Sequence, residues 1–397
     1  MTTINKSKPR SGRLETPLGL YIHIPFCARK CSYCDFVSYP IADTDVHLAY
    51  VLKVIFELRG KRSIFSDNLS DIAPYADTVY IGGGTPSLVE PGLVTEILDA
   101  IYTSYRASDD AEITIEVNPG TVDPGKLLRY RAAGINRLSI GAQSFNEDEL
   151  AFLGRIHNTS DIEKSVSDAK SAGFSDINID LMFGIPGQTI ESWRGSLEAA
   201  AALGPTHISF YSLGIEAGTP LHKSYTQGGF EAIDDVTDRE MYHMAKEYLA
   251  GQGFSQYEIS NSSKPGMESR HNLKYWSMDP YAGFGVSAHS YYGGRRFSNT
   301  ENLADYLSAE DIGFMTDWVH ENTLIDDMSE FIFLGLRCTS GIELSRFQRR
   351  FNKNFWELYG RETEKLIGDG LLEHCGDALK LTSLGLDLAN TVFREYV

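Results

Sequence analysis

Cysteine and positive charge are scarce in this sequence, and each scarcity excludes something. There are 5 cysteines in 397 residues, 3 of them inside one short motif, which excludes a disulfide framework and fits a reducing compartment. The 36 lysines and arginines face 54 aspartates and glutamates, a net charge of −18 that opposes non-specific binding to nucleic acid or to an anionic membrane. No run of eighteen apolar residues occurs, so no transmembrane helix is expected. Nor does a signal peptide open the chain, and a cytoplasmic location is the expectation. Residues 1–17 read as a loose tail, because Met1 to Arg13 is polar and basic without an apolar core. The glycine run Gly82-Gly83-Gly84 is not followed by Gly-Lys-Ser/Thr, so it is no P-loop. What remains is a chain long enough for one large domain and one smaller one.

The most informative stretch is Cys27-Ala28-Arg29-Lys30-Cys31-Ser32-Tyr33-Cys34, directly after the apolar run 18–26. Three thiols this close can converge on one metal centre. A tetrahedral iron or zinc takes four ligands, so three cysteines leave one position open. A four-iron cluster held this way has three irons anchored by protein and a fourth free to chelate another molecule. The alternative is a structural zinc completed by His23, Cys338 or Cys375, although zinc sites usually come as separated C-x2-C pairs.

Between residues 18 and 213 short β-rich runs alternate with helical ones. The strand candidates are 18–24, 78–81, 112–117, 137–140, 177–182 and 207–212, each rich in Ile, Val, Leu or Tyr, as strands buried on both faces are. Asp123-Pro124 starts a helix that Gly134 ends, and Ser160-x-x-Glu163 is a capping box for a helix closed by Gly173. Six such units imply an α/β fold with a parallel sheet curled into an incomplete (β/α)6 barrel, two units short of eight. In such barrels chemistry collects at the C-terminal strand ends. The unusual residues fall there: the cysteine loop, Gly82 to Pro86, Glu116 and Asn118, Gln143, Asp180 and Tyr211.

The C-x3-C-x2-C spacing, with Tyr33 before the third cysteine, resembles the cluster loop of the radical S-adenosylmethionine (SAM) enzymes. The resemblance implies a 4Fe–4S cluster on Cys27, Cys31 and Cys34, with SAM on the open iron. Gly83, Gly84 and Thr85 are similar to the segment that binds the methionyl amino group of SAM; read alone, the glycines make a tight turn. Tyr21, Tyr33, Glu116, Gln143, Arg155, Asp180 and Gly214 match SAM-contacting positions of the coproporphyrinogen oxidase-like branch. Without the family, Arg155 and Glu116 read as an ordinary structural ion pair.

Residues 251–321 form a loop-rich connecting region dense in aromatics, glycines and histidines, suited to a flat conjugated ligand. The resemblance runs from Leu18 to about Asn390 and points to two relatives. One is the oxygen-independent coproporphyrinogen III oxidase, a decarboxylase; the other is the HemW-type haem chaperone, which binds and delivers haem. Two features favour the chaperone: Phe36 stands where the decarboxylase has a further cysteine, and only 26 residues precede Cys27. The run His271-Asn272-Leu273-Lys274-Tyr275-Trp276 is typical of the chaperone group and makes His271 the candidate haem ligand, with Tyr and Cys as other ligand types.

Residues 322–397 read as a small, mainly helical domain resembling a winged helix. Its helices are expected at 329–337, 345–351 and 355–367, followed by a hairpin at Gly376-Asp377 and a last helix after Ser383. Arg346, Arg349, Arg350 and Lys353 read as a solvated helical face, and Cys338 and Cys375 as small buried residues. The implied function is haem chaperoning, with haem as cargo and haem-acceptor proteins such as respiratory haemoproteins as partners. Nucleic acid is not expected as a partner. Transient docking on a membrane protein and a homodimer are both compatible with the sequence. The rival readings are the decarboxylase and a zinc-stabilised adaptor.

Overall fold

The computed structural model describes residues 16–66 and 73–397; the tail expected over Met1 to Arg13 lies outside them. Six strands, β1 (Leu18–Ile24), β2 (Tyr75–Gly83), β3 (Arg106–Val117), β4 (Arg137–Gln143), β5 (Asp176–Phe183) and β6 (His207–Ser212), run parallel in sequence order. Their connections carry α1 (Thr44–Lys61), α2 (Pro91–Ser104), α3 (Pro124–Ala132), α4 (Glu147–Leu153), α5 (Thr159–Ser171) and α6 (Ile190–Ala202). α7 (Pro220–Thr226) and α8 (Asp235–Gly251) follow β6.

Period-two alternation gives each strand two faces. One carries Leu20, Ile22, Val79, Ile81, Ile113, Ile115, Leu138, Ile140, Ile177, Ile179, Ile208 and Phe210, all buried in the main core. Burying each such side chain contributes about 1.5–3 kcal/mol. The other face is polar and carries Tyr21, Tyr80, Glu116, Ser139, Asp180, Ser209 and Tyr211. Its groups bond to one another from strand to strand, as in Ser139 to Asp180 and Tyr211 to Gln143.

The barrel does not close. The free edge of β6 is covered by an antiparallel pair, β7 (Ser255–Glu258) and β8 (Asn261–Ser263), with β8 against β6. The α9 helix (Arg270–Trp276) follows. Beside β1 lies β9 (Tyr281–Phe284), parallel to it, then β10 (His289–Tyr292), β11 (Arg295–Asn299) and, after α10 (Leu303–Ser308), β12 (Thr316–Glu321). The result is one 12-stranded sheet. The loop-rich expectation for residues 251–321 is therefore corrected. Strands such as Asn261–Ser263 are short and polar, and they form by pairing with existing edges, so no hydrophobic period announces them.

The C-terminal lobe comprises α11 (Leu324–Gly335), β13 (Ile342–Glu343), α12 (Leu344–Phe351), α13 (Phe355–Gly368), the hairpin β14 (Leu372–Cys375) and β15 (Ala378–Leu381), then α14 (Ser383–Asp387) and α15 (Ala389–Arg394). Its core of Phe331, Ile332, Phe347, Leu366 and Leu379 also takes in Met278 and Tyr291 from the preceding region.

Other local readings change. The capping box at α5 uses Asn158 and Asp161, not Ser160 and Glu163, because the chain leaves its extended conformation at Asn158. α11 starts at Leu324, before the expected residue 329, because Thr323 and Asp326 cap it. Cys375 is exposed on the hairpin. Arg346 and Arg350 are not part of a solvated face: they donate to the Ser277 and Met278 carbonyls at 3.1 and 3.0 Å and dock the lobe.

A buried ion pair within α1 is linked through Glu57 to the turn after β9. Glu57 and Lys61 are at most 1% exposed and lie 2.6 Å apart. Glu57 also accepts from the Gly285 amide, the Tyr306 hydroxyl and the Asn299 amide, so its lone pairs are filled. Removing one partner of such a pair leaves the other charge buried and uncompensated. Glu57→Gln should therefore lower stability by about 3–5 kcal/mol, read as a drop in the urea midpoint, and adding Lys61→Met should recover part of it.

Candidate metal and cofactor site

The cysteine loop leaves β1 and is held on three sides by backbone bonds. Cys27 N–H donates to the Tyr39 carbonyl at 3.0 Å, Ser32 N–H to Leu153 at the end of α4 at 3.2 Å, and Leu221 N–H in α7 to Ser32 at 2.8 Å. Cys27 is buried, while Cys31 and Cys34 are half-buried. Burial raises the Cys27 and Cys34 thiol pKa values. Arg155 Nη1 lies 3.6 Å from Cys31 Sγ and Thr85 Oγ1 3.7 Å from Cys27 Sγ. These donors suit thiolates, the form a metal requires. Among the described residues, no three His, Cys, Asp or Glu side chains gather around a single ion position. Three anchored thiols beside a guanidinium and a hydroxyl fit a cluster whose cysteines bind different irons.

The glycine run lies directly against this loop. Gly84 N–H donates to the Ile24 carbonyl at 2.8 Å and Thr85 N–H to Phe26 at 2.7 Å. A Cβ on Gly84 would lie 2.7 Å from the Phe26 carbonyl and 3.0 Å from Cys27 Sγ. Gly83 has φ +117°, and a Cβ there would lie 2.6 Å from the His23 ring. Only glycine allows both the conformation and the approach.

Behind the glycines stands Glu116. Its two carboxylate oxygens accept from the Tyr80 hydroxyl and the Gly83 amide, each at 2.9 Å. Burial pushes its pKa up to about 7, against the lowering effect of the Gly83 bond. Tyr21 stacks on Tyr80 at 6.2 Å and donates to His23 Nδ1 at 3.0 Å, while His23 Nε2 donates to the Val37 carbonyl. Asp180, raised by burial, accepts from Ser139 and Asn178. Gln143 closes β4 with φ +69° and accepts from Tyr211 at 3.1 Å; such a φ is uncommon outside glycine and clusters at functional positions.

Arg155 does not pair with Glu116. Its Nη2 donates to Asn118 and to the Gly141 carbonyl at 2.8 and 2.7 Å, and Tyr33 lies beside it. Tyr21, Tyr33, Gly83, Gly84, Thr85, Glu116, Gln143, Arg155 and Asp180 thus occupy one end and one lumen of the barrel. Gly214 follows β6 on an exposed loop, with Glu216 as its nearest side chain. His271 stands apart. It is 1% exposed, its Nδ1 lies 2.9 Å from Thr78 Oγ1 and its Nε2 2.8 Å from the Tyr275 hydroxyl. Sequence reasoning missed Tyr80 and considered His23 only as a zinc ligand, although period two on β1 and β2 puts both on the face shared by Tyr21.

Residues 21–200 match the model of the radical SAM superfamily, and residues 322–388 that of the HemN C-terminal domain. The chain is 36% identical over 381 residues to the heme chaperone HemW of Bacillus subtilis, covering 95% of this chain and 98% of that protein. It is 33% identical over 392 residues to the heme chaperone HemW of Escherichia coli, covering 96% and 98%. The radical SAM enzyme coproporphyrinogen III oxidase (HemN) from Escherichia coli has the same fold, with a TM-score of 0.83 at 22% identity, over 96% of this chain and 90% of that one. The cysteine loop, the open six-stranded barrel and the near full-length identity place this chain in the HemW family of the radical SAM superfamily.

Proposed function

We propose that this protein is a haem chaperone that binds haem and passes it to acceptor haemoproteins. In this reading it carries a 4Fe–4S cluster on Cys27, Cys31 and Cys34, with SAM at the open iron. Membership of the HemW family supports the chaperone role, and Phe36 favours it over the decarboxylase: an exposed phenyl ring stands where the resemblance puts a further thiol in that enzyme. The barrel, residues 18–250, holds cluster and SAM; residues 251–321 contribute to haem binding and residues 322–397 form the lobe. Acceptors of the respiratory class, reached from the cytoplasm by transient docking on a membrane protein, suit this reading, as does a homodimer. No described helix is long and apolar enough to cross a membrane.

The chain's own residues supply binding and orientation. Gly83, Gly84 and Thr85 present backbone and hydroxyl groups to the methionyl end of SAM. Glu116 and Asp180 accept from its ammonium or ribose hydroxyls, and Arg155 takes its carboxylate. Tyr21, Tyr33, Gln143 and Gly214 complete the surround. A reduced cluster with SAM bound supplies radical chemistry.

The deciding experiment is an anaerobic reaction of cluster-reconstituted protein with SAM, a strong reductant and coproporphyrinogen III, read by mass spectrometry beside an active decarboxylase. The porphyrinogen should stay intact; loss of two carboxylates would make this a decarboxylase despite Phe36. Replacing any one of Cys27, Cys31 or Cys34 by Ser should take iron from roughly four per chain towards none. Glu116 pairs with an ammonium only when ionised. With its pKa near 7, SAM affinity should be full at alkaline pH, fall as pH drops through 7, and be about tenfold weaker at pH 6 than at pH 8. Glu116→Gln should flatten that profile.

A further inference from the structure

We infer that the segment from His271 to Trp276 is a strut that sets the position of Glu116 in the SAM pocket from the C-terminal lobe, with His271 a positioning residue instead of an axial haem ligand. This rests on the reading of Glu116 as a SAM contact.

The strut is seated at the opposite end of the barrel from the cysteine loop. The amides of Arg270 and His271 donate to the Glu112 carboxylate at 2.8 and 3.0 Å. β1 makes room for it with Gly19: a Cβ there would lie 2.9 Å from Lys274 Cδ and 3.3 Å from His271 Cε1. Both imidazole nitrogens are engaged, by Thr78 and Tyr275, and burial lowers the ring's pKa to about 3, so it is neutral at physiological pH. An iron could take an axial position only by displacing one of these bonds in a site closed to solvent.

From His271 the contact runs up one face of β2. Thr78, Tyr80 and Gly82 are two residues apart and share that face. The imidazole stacks on Tyr80 at 5.3 Å with the planes 29° apart. Tyr80 then donates to Glu116 Oε1, and Gly82 leaves room for the pair: a Cβ there would lie 2.9 Å from that oxygen. The second oxygen is set by the Gly83 amide. The tilt of the Tyr80 ring therefore fixes one of the two anchors of the carboxylate, and His271 is what the ring rests on.

The other end of the strut is tied to the lobe. Tyr275 packs edge-on against Tyr281 at 4.6 Å, and Tyr281 accepts from Arg296 at 3.2 Å. Arg296 forms a two-pronged pair with Glu330 of α11, both contacts at 2.7 Å. The Trp276 ring lies 4.4 Å beneath the Arg337 guanidinium. Arg346 of α12 donates to Ser277, one residue past the strut. A shift of the lobe is thus transmitted to the Tyr80 hydroxyl through packed rings and charge-assisted bonds.

The test measures SAM affinity and haem affinity in parallel on cluster-reconstituted full-length protein, with iron content and circular dichroism as folding controls. Tyr80→Phe keeps the ring and removes only the bond to Glu116. It should weaken SAM binding by about five- to tenfold, and it should move the pH midpoint of SAM binding upward, because the carboxylate loses a donor. A merely structural role would not move that midpoint. His271→Gln and Arg296→Gln should weaken SAM binding by about two- to fivefold, and His271→Gln should retain the haem spectrum. Loss of the haem spectrum in His271→Gln with SAM affinity intact would overturn the proposal in favour of axial ligation. Wild-type SAM affinity in Tyr80→Phe and Arg296→Gln would overturn it even if His271→Gln failed to fold. If Glu116→Gln also bound SAM normally, the assignment of Glu116 to SAM would fall and the strut with it. Weakened binding in Glu116→Gln alone would leave that assignment standing and sink the strut.

Discussion

Two loops at the C-terminal ends of neighbouring strands touch backbone to backbone, and the site depends on that contact. The Gly84 and Thr85 amides donate to Ile24 and Phe26, which brings the glycine run within one atom's width of Cys27. No side chain can intervene, because a Cβ on Gly83 or Gly84 would enter the His23 ring or the Phe26 carbonyl. Parallel pairing of β1 with β2, in register from Gly19 to Ile24, makes this apposition automatic once both strands are in the sheet.

The same sheet explains how a polar lumen survives inside a folded protein. Alternation sends the apolar half of each strand under the helices and the polar half inward, where groups such as Tyr80 and Glu116, Ser139 and Asp180, and Tyr211 and Gln143 bond across strands. Glu116 and Asp180 are held by neutral donors and not by cations, so burial leaves both with raised pKa values. Arg155 is held by Asn118 and Gly141 with one edge turned to Cys31. Charge in the lumen is therefore kept available for a ligand instead of being spent on an internal ion pair.

The lobe and the barrel meet through α9 and its surroundings. Rings and guanidinium groups dominate that junction: Trp276 with Arg337, and Arg296 with Tyr281 and Glu330. The chain thus places its most recognisable aromatic run, His271 to Trp276, between its two halves, and the helix capped by Ser269 passes over Gly19 into the barrel floor.

Much of this was legible in the chain alone, for physical reasons. Buried parallel strands must be short apolar runs, so all six were found, and the spacing of three thiols within one loop is a local property that needs no fold to be read. The glycines announced a close approach. What the chain could not disclose was long-range. The polar strands at 255–263 and 316–321 exist only because edges are there to pair with. The basic face of α12 looked solvated until Arg346 and Arg350 found carbonyls on another element. His271 became a candidate haem ligand because its run resembles one typical of the chaperone group and His is a usual axial ligand. Only the tertiary structure decided what its Nδ1 meets, since the hydrogen bond to Thr78 depends on a helix folding back across nearly two hundred residues of chain onto β2, whereas Nε2 meets Tyr275 one turn along the same helix.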